Sequence, residues 1–548
     1  MRRIFLSITF FFMILLVSAQ NQHIKNVIVM IPDGTPTSLL SAARWYQSYL
    51  NPTQNSLFLD PYICGLVRTH SSDAPIGDSA PTTSCYMTGQ PTQTGFISTY
   101  PVKTPNDLVT IDATRAYQPL ATILEAAKQI QGKSTGLVFT CEFPHATPAD
   151  CSAHTYKRSL YKMIAPQMVH NGLDVVIGGG VRYLTETQQQ FLKDHGYNVY
   201  LNDLQAMRQC SKAPVWSLFD DTSMPYEIDR DTTQRPSLAE MTDKALSLLS
   251  QDKKGFFLMV EGSKVDWASH TNDVKTSLVE FLAFDKACQV ALDFAKKNGE
   301  TLVIIVPDHG CGGLNLGNYT FSSGYDKFTL NDFMKPLDDI SISMEALAAK
   351  MKKVDTKEWA SIVSQYYNID LQDAEITFLQ SAKDYSKSTL SFDERKDKPY
   401  LSKMLGQVIN NKLHFGFTTY GHTGEDVFLA IYHPKGEELK GYSTNIQLHQ
   451  YICQQMGLEN ALPKLTEEIY ADHHQVFKDY EVQIDSVAPF DYQLTVKNKK
   501  NTLIAHSYNN FVTVNKKQVD LSSVIVYMPI NNTFYLPKNL YQYLENKK

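Results

Sequence analysis

Short runs of apolar, largely β-branched residues at 27–31, 135–139, 175–177, 256–260, 302–306 and 427–432 alternate with stretches of helical periodicity. Continuous apolar runs of this length suit parallel strands buried on both faces. Between two of them, residues 274–297 place Leu278, Phe281, Leu282, Ala287, Ala291, Leu292 and Ala295 on one helical face, and Asn298-Gly299 supplies a C-terminal cap. This alternation predicts an α/β fold, a three-layer α/β/α sandwich around a mostly parallel central sheet. Two regions break the rhythm. Residues 320–415 turn helical and polar, as at 343–354 and 357–367, and read as an insertion at the rim of the sheet. Beyond about residue 475 the texture alternates, at 480–484, 492–496, 511–514 and 523–527, and reads as a β-rich C-terminal extension.

Composition narrows the class. Over 548 residues, 43% are hydrophobic and 20% charged, ordinary globular usage that excludes a mainly disordered or fibrous chain. Lys plus Arg number 51 against 57 Asp plus Glu, a net charge of −6, so there is no basic footprint for nucleic acid. A mean hydropathy of −0.27 excludes a polytopic membrane protein. Arg2 and Arg3 precede an apolar run from Phe5 to Val17, and Val17-Ser18-Ala19 fits the small-residue pattern before a cleavage site. Residues 1–19 thus read as a cleavable secretory signal, which predicts a periplasmic or secreted protein with no membrane span once the signal is removed. An exported chain can hold disulfides. Its eight cysteines leave the connectivity open. The domain boundaries expected are 1–19 for the signal, 20–475 for a catalytic domain carrying the 320–415 insertion, and 476–548 for the extension.

The chemistry gathers at strand ends. Residues 27–31 run into Pro32-Asp33, 256–260 into Glu261, and 302–306 into Pro307-Asp308-His309. Open α/β sheets bind ligands beyond the carboxyl ends of their strands. One such Asp alone is an ordinary turn former or helix cap. Three together point to a shared site. Asp266 and His270 lie four apart, on one face of a helix, and His422 stands in Tyr420-Gly421-His422-Thr423-Gly424 before the run at 427–432. Zinc accepts mixed nitrogen and oxygen ligands, whereas Mg²⁺ prefers oxygen. The set can form two nitrogen/oxygen sites and one oxygen-rich site. A nucleophile is available in Gly77-Asp78-Ser79-Ala80-Pro81, just before a helical stretch. There a hydroxyl meets free N–H groups and the positive end of the helix dipole, although Asp78 or Ser79 also suits a plain N-cap.

These motifs resemble the alkaline phosphatase family. Asp78-Ser79-Ala80 is similar to its nucleophile motif. Ala146-Thr147-Pro148-Ala149 with Ala153-His154 and Arg158 resembles the block carrying a metal-ligand Thr and the phosphate-binding Arg. Glu261-Gly262, Asp266 and His270 resemble its acidic and histidine block, and Asp308-His309 and Gly421-His422-Thr423-Gly424 complete the order over roughly residues 24–460. The resemblance implies a phosphomonoesterase that forms a phosphoserine on Ser79. Asp266, His270 and His422 would bind one zinc. Asp33, Asp308 and His309 would bind a second, which also contacts Ser79. Asp33, Thr147 and Glu261 would hold a third metal, and Arg158 would grip two phosphate oxygens. It also implies small phosphate monoester substrates and a homodimer.

Two positions depart from the best-known bacterial pattern: His145 stands where that pattern has Asp, and Trp267 where it has Lys. Both border the third metal and the phosphate pocket, so the third cation is expected to be Mg²⁺, or Zn²⁺ or Co²⁺ given the imidazole, and product release is expected to be easier. Cys141 and Cys311 lie close to the expected site residues, with packing or oxidation weighed above metal binding. His473-His474 is read as solvated. Among rivals, a sulfatase is excluded because Thr83 stands where its maturation motif needs Arg. A phosphodiesterase on the same scaffold stays open. A Gly-Asp-Ser esterase would need no metal, and a metal-storing binding protein would need no Ser79.

Overall fold

The computed structural model describes residues 23–321, 323–382 and 400–545. The signal at 1–19 and part of the 320–415 insertion fall outside them. Ten strands form the central sheet: β1 (Asn26–Ile31), β2 (Ile63–Arg68), β3 (Ser134–Glu142), β4 (Val175–Gly179), β5 (Asn198–Leu201), β6 (Val215–Phe219), β7 (Phe256–Glu261), β8 (Thr301–Ile305), β9 (Val427–Tyr432) and β10 (Gly441–Thr444). Their spatial order is β10-β2-β9-β8-β1-β7-β3-β4-β6-β5. Neighbours pair in parallel everywhere except beside β9, which runs against both β2 and β8. The apolar runs read from sequence are β1, β3, β4, β7, β8 and β9. β2 and β10 escaped because they sit at one margin, where half their positions face solvent and the apolar run is lost. β5 is short, partly exposed and at the opposite edge.

β1 shows why the sheet needs two helical layers. Ile28 and Met30 enter one core, with the helices Thr37–Leu50, Leu238–Leu249 and Val274–Asn298. Val27, Val29 and Ile31 enter the other, with Ser79–Thr88, Ile123–Gln129, Tyr161–His170 and Asn445–Met456. Each fully buried aliphatic side chain contributes about 1.5–3 kcal/mol relative to exposure, so β1 anchors the middle of the sandwich. The helix at Val274–Asn298 ends as expected, with Gly299 at φ 73° accepting the left-handed turn.

The insertion is helical where described, at Met344–Met351, Trp359–Tyr367, Asp373–Gln380 and Leu401–Leu413. The C-terminal region is an antiparallel meander of five strands, Glu481–Ala488, Asp491–Lys497, Thr502–His506, Phe511–Val514 and Lys517–Asp520, with its own small core. A separate antiparallel sheet joins Ala471–Asp472, Val526–Met528 and Thr533–Leu536. His473, read as solvated, is buried beside that sheet and accepts a hydrogen bond from the Phe534 N–H at 3.2 Å, while His474 is exposed. All eight cysteines are free thiols. Among the described residues no helix is long and apolar enough to cross a membrane.

Candidate active site

The sheet delivers its carboxylates to one rim. Glu261 ends β7 and pairs with Ile31 of β1, two residues before Asp33, while Asp308 and His309 follow β8, the other neighbour of β1. Asp33, Glu261, Asp266, Asp308 and His309 are all buried. Gly34 is what lets these segments converge. It sits at φ +62°, and a Cβ there would lie 2.4 Å from Asp266 Oδ1, so only glycine fits both the backbone and the neighbour. Its N–H donates to Asp308 Oδ1 at 3.0 Å.

Two clusters lie side by side. In the first, His270 Nε2 is 3.2 Å from His422 Nε2 and 3.3 Å from Asp266 Oδ2. His270 Nδ1 donates to the Tyr420 carbonyl at 2.6 Å, and His422 Nδ1 donates to the Gly77 carbonyl at 2.8 Å. Each ring therefore carries a proton on Nδ1 and turns Nε2 toward the other, and against the cost of burial Asp266 beside them favours positive charge at His270. The 3.2 Å spacing is close to the edge of about 3.3 Å expected between two nitrogens about 2.05 Å from a tetrahedral zinc. In the second cluster, His309 Nε2 is 3.4 Å from both Asp33 Oδ1 and Asp308 Oδ2, and its Nδ1 is turned to the Gly310 carbonyl at 3.1 Å. The His309 and His422 rings stack with centroids 3.8 Å apart. A two-residue ladder pairing Gly310–Cys311 with His422–Thr423 locks the clusters together.

Ser79 opens the helix Ser79–Thr88, whose N-cap residue Asp78 makes no side-chain cap. Its Oγ lies 3.1 Å from His309 Nε2 and 3.3 and 3.4 Å from the two Asp33 oxygens. Asp78 instead holds the Arg158 guanidinium, which also donates to His145 Nε2 at 3.2 Å. The His145 ring meets Trp267 edge to face, and Lys264 Nζ lies 4.3 Å above the Trp267 ring. The Thr147 hydroxyl is buried without a hydrogen-bond partner, and Glu261 Oε2 accepts from the Cys141 thiol at 3.3 Å.

Electrostatics single out this rim. Burial, then Asp308, Asp266 and Glu261, push the Asp33 carboxyl well above the usual range. Burial lifts Glu261 to about 8. Burial opposes ionisation of Asp266 as well, but His270, His422 and His309 outweigh it and hold that carboxyl well below the usual range. Burial and the Arg158 charge keep His145 neutral, lowering it to about 3. Glu261 Oε1, Asp266 Oδ1 and Asp308 Oδ2 are buried without a hydrogen-bond donor. So many buried, under-satisfied carboxyl oxygens and inward-turned imidazole nitrogens are costly to leave unpaired and well matched to cations. Metal-ligating atoms gather within 4.8 Å of one another in Asp33-Asp308-His309, in Asp266-His270-Cys311-His422 and in Cys141-His145-Glu261.

The residues expected at the site from sequence thus gather on this rim, whereas His473 and His474 lie beside the C-terminal sheet. One participant was not legible as such: Asp78 reads as a cap and serves as the Arg158 partner. Cys141 and Cys311 read as neighbours of the site, with packing or oxidation weighed above metal binding, and the structure gathers each with histidine and carboxylate groups that could hold a metal. Cys311 pairs through its ladder with His422, 111 positions away in sequence. For Cys141 a signal existed: it lies at the carboxyl end of β3, the rim that collects the acids.

The family model for alkaline phosphatase matches residues 24–458. Alkaline phosphatase 3 of Bacillus subtilis (strain 168) is 33% identical over 447 residues, covering 78% of this chain and 88% of its own. The alkaline phosphatase of Escherichia coli (strain K12) is 31% identical over 352 residues, 53% of this chain and 71% of its own. The crystal structure of a cold-active alkaline phosphatase from the psychrophile Shewanella sp. superposes with a TM-score of 0.66 at 28% identity, over 79% of this chain and 99% of that one. With the family model spanning most of the chain and the metal-ligating groups standing at the strand ends, the chain belongs to the alkaline phosphatase family of metal-dependent phosphate monoester hydrolases.

Proposed function

We propose that the chain hydrolyses small phosphate monoesters through a phosphoserine on Ser79. The observation that carries this reading is the placement of Ser79 Oγ, 3.1 Å from His309 Nε2, on a rim where three imidazoles turn Nε2 inward among buried carboxyl groups. Asp266, His270 and His422 would hold one zinc ion. Asp33, Asp308 and His309 would hold a second, next to Ser79. Asp33, Thr147 and Glu261 would hold a third cation, Mg²⁺ or, given His145 and Trp267, Zn²⁺ or Co²⁺. When bound, such ions supply Lewis acidity that lowers the pKa of the serine hydroxyl and offsets charge on the leaving oxygen, and paired-metal chemistry is established for phosphatases in general.

The chain's own groups do the rest. The Ser79 hydroxyl is hemmed in by acceptors, the Asp33 carboxylate and His309 Nε2, so its proton is directed away from an incoming phosphorus. Its position at a helix N-terminus favours developing negative charge. Arg158 presents a planar fork that suits two phosphoryl oxygens, and Asp78 and His145 hold that fork in place. Ser79 attacks phosphorus in line, the alcohol leaves, and water releases phosphate from the phosphoserine. Positioning and charge stabilisation dominate phosphoryl transfer, so this machinery suffices.

The first 19 residues favour export to the periplasm or outside the cell. The same reading takes 20–475 as the catalytic domain with the 320–415 helical insertion and 476–548 as an appended unit, and the working form is a homodimer. The deciding experiment compares nitrophenyl phosphate monoester and diester turnover before chelation, after it, and after zinc return. Monoester activity that vanishes and returns supports the reading. Faster diester turnover replaces it with a diesterase, and activity indifferent to chelation refutes a metal mechanism.

A further inference from the structure

Glu261 reaches a sulfur as well as oxygens. The Cys141 thiol, fully buried at the end of β3, donates to Glu261 Oε2 at 3.3 Å. An irregularity in the β3–β4 register between Val138 and Glu142 bends the strand end, and Ser263 Oγ holds the bend by accepting from the Thr140 and Cys141 N–H groups at 3.2 and 3.0 Å. Bulges near active sites re-aim a side chain, and this one turns Cys141 toward the acidic rim. Independently of the thiol, Glu261 Oε1 is buried and lacks a hydrogen-bond donor. Ligand atoms of Cys141, His145 and Glu261 all lie within 4.8 Å of one another.

We propose that Cys141 is a ligand at the third cation site, joining Glu261, so that the site selects a thiophilic ion such as Zn²⁺ or Co²⁺ over Mg²⁺. The inference rests on the three-cation reading above and deepens it. The spacing is right: a sulfur about 2.3 Å and a carboxylate oxygen about 2.1 Å from a tetrahedral ion stand about 3.6 Å apart, and the sulfur and oxygen here are 3.3 Å apart. The donor type is right too, because thiolate favours zinc and cobalt, whereas Mg²⁺ keeps to oxygen. Binding replaces the S–H bond by a sulfur–metal bond, and one proton leaves for each ion bound.

The test titrates the chelated full-length protein with Co²⁺ alone and records metal stoichiometry and the near-ultraviolet sulfur-to-cobalt charge-transfer band. Wild type is expected to bind three Co²⁺ per chain with the band, C141S to lose the band while keeping the other two ions, and C311S to keep it. Three ions without a band, or a band lost in C311S and kept in C141S, overturns the role of Cys141 and leaves the three-cation reading standing. Only two ions in wild type overturns that reading itself, and this proposal with it. Should C141S fail to fold, wild type and C311S together still decide: the band must be present in both.

Discussion

Replacing Gly34 by alanine tests whether the site depends on close approach of backbone to ligand. Two costs follow from the geometry. The left-handed backbone at φ +62° costs an alanine about 1–2 kcal/mol. The added Cβ would sit 2.4 Å from Asp266 Oδ1 and 2.7 Å from Asp266 Cβ, whereas ordinary contact begins at 3.4 Å. Asp266 must therefore retreat by about 1 Å, and a displacement of that size costs about 100-fold in rate, about 2.7 kcal/mol. Gly299 provides the control. It has φ +73° and nothing within 4 Å of its Cβ position, so G299A carries the backbone strain alone. The assays are kcat/KM on nitrophenyl phosphate, bound zinc by elemental analysis, and thermal unfolding. G34A should lose about 100-fold in kcat/KM and release the zinc held by Asp266, while G299A stays within about twofold of wild type in activity. Both should lose stability comparably through the strain. A G34A enzyme with full zinc and more than about a third of wild-type kcat/KM would refute the claim that this glycine is required by Asp266.

Three further outcomes are expected. S79A should lose activity by at least about a thousandfold, because the covalent route disappears, with zinc still bound through the remaining ligands; retention of full activity would remove Ser79 from the mechanism. W267K should tighten inhibition by inorganic phosphate about tenfold or more, the worth of a charge-assisted hydrogen bond, and the idea fails if the variant's inhibition constant matches wild type. In the metal-free protein, thermal stability should fall between about pH 6.5 and about pH 8. The reason is that burial lifts Glu261 and Glu280 each to about 8, so the folded state keeps protons that the unfolded chain has already released. That contribution is lost as pH rises through the folded values. Loaded metal should flatten the decline, and a melting midpoint that rises over this window in chelated protein would contradict the reading.

The sequence by itself determined much of this protein. Strands buried on both faces are dominated by apolar residues, so β1, β3, β4, β7, β8 and β9 appear as apolar runs, and the acids that end them declare the functional rim. The i, i+4 spacing of Asp266 and His270 is set by helix geometry alone. Order and spacing of the motifs carried the family resemblance. Edge strands β5 and β10, and β2 next to β10, were hidden because a strand half open to solvent loses its hydrophobic signature. What only the tertiary structure decided is how residues hundreds of positions apart meet. The antiparallel insertion of β9 between β2 and β8 brings His422 onto His270 and His309, and carbonyls of Gly77, Tyr420 and Gly310 fix which nitrogen each ring presents. The bend at the end of β3 turns Cys141 from a core residue into a neighbour of Glu261, and the tip of the Asp78 side chain leaves its own helix for Arg158. A sequence pattern reports which face of an element is buried. Ligand geometry depends on distances across the fold, and those exist only once the chain has closed.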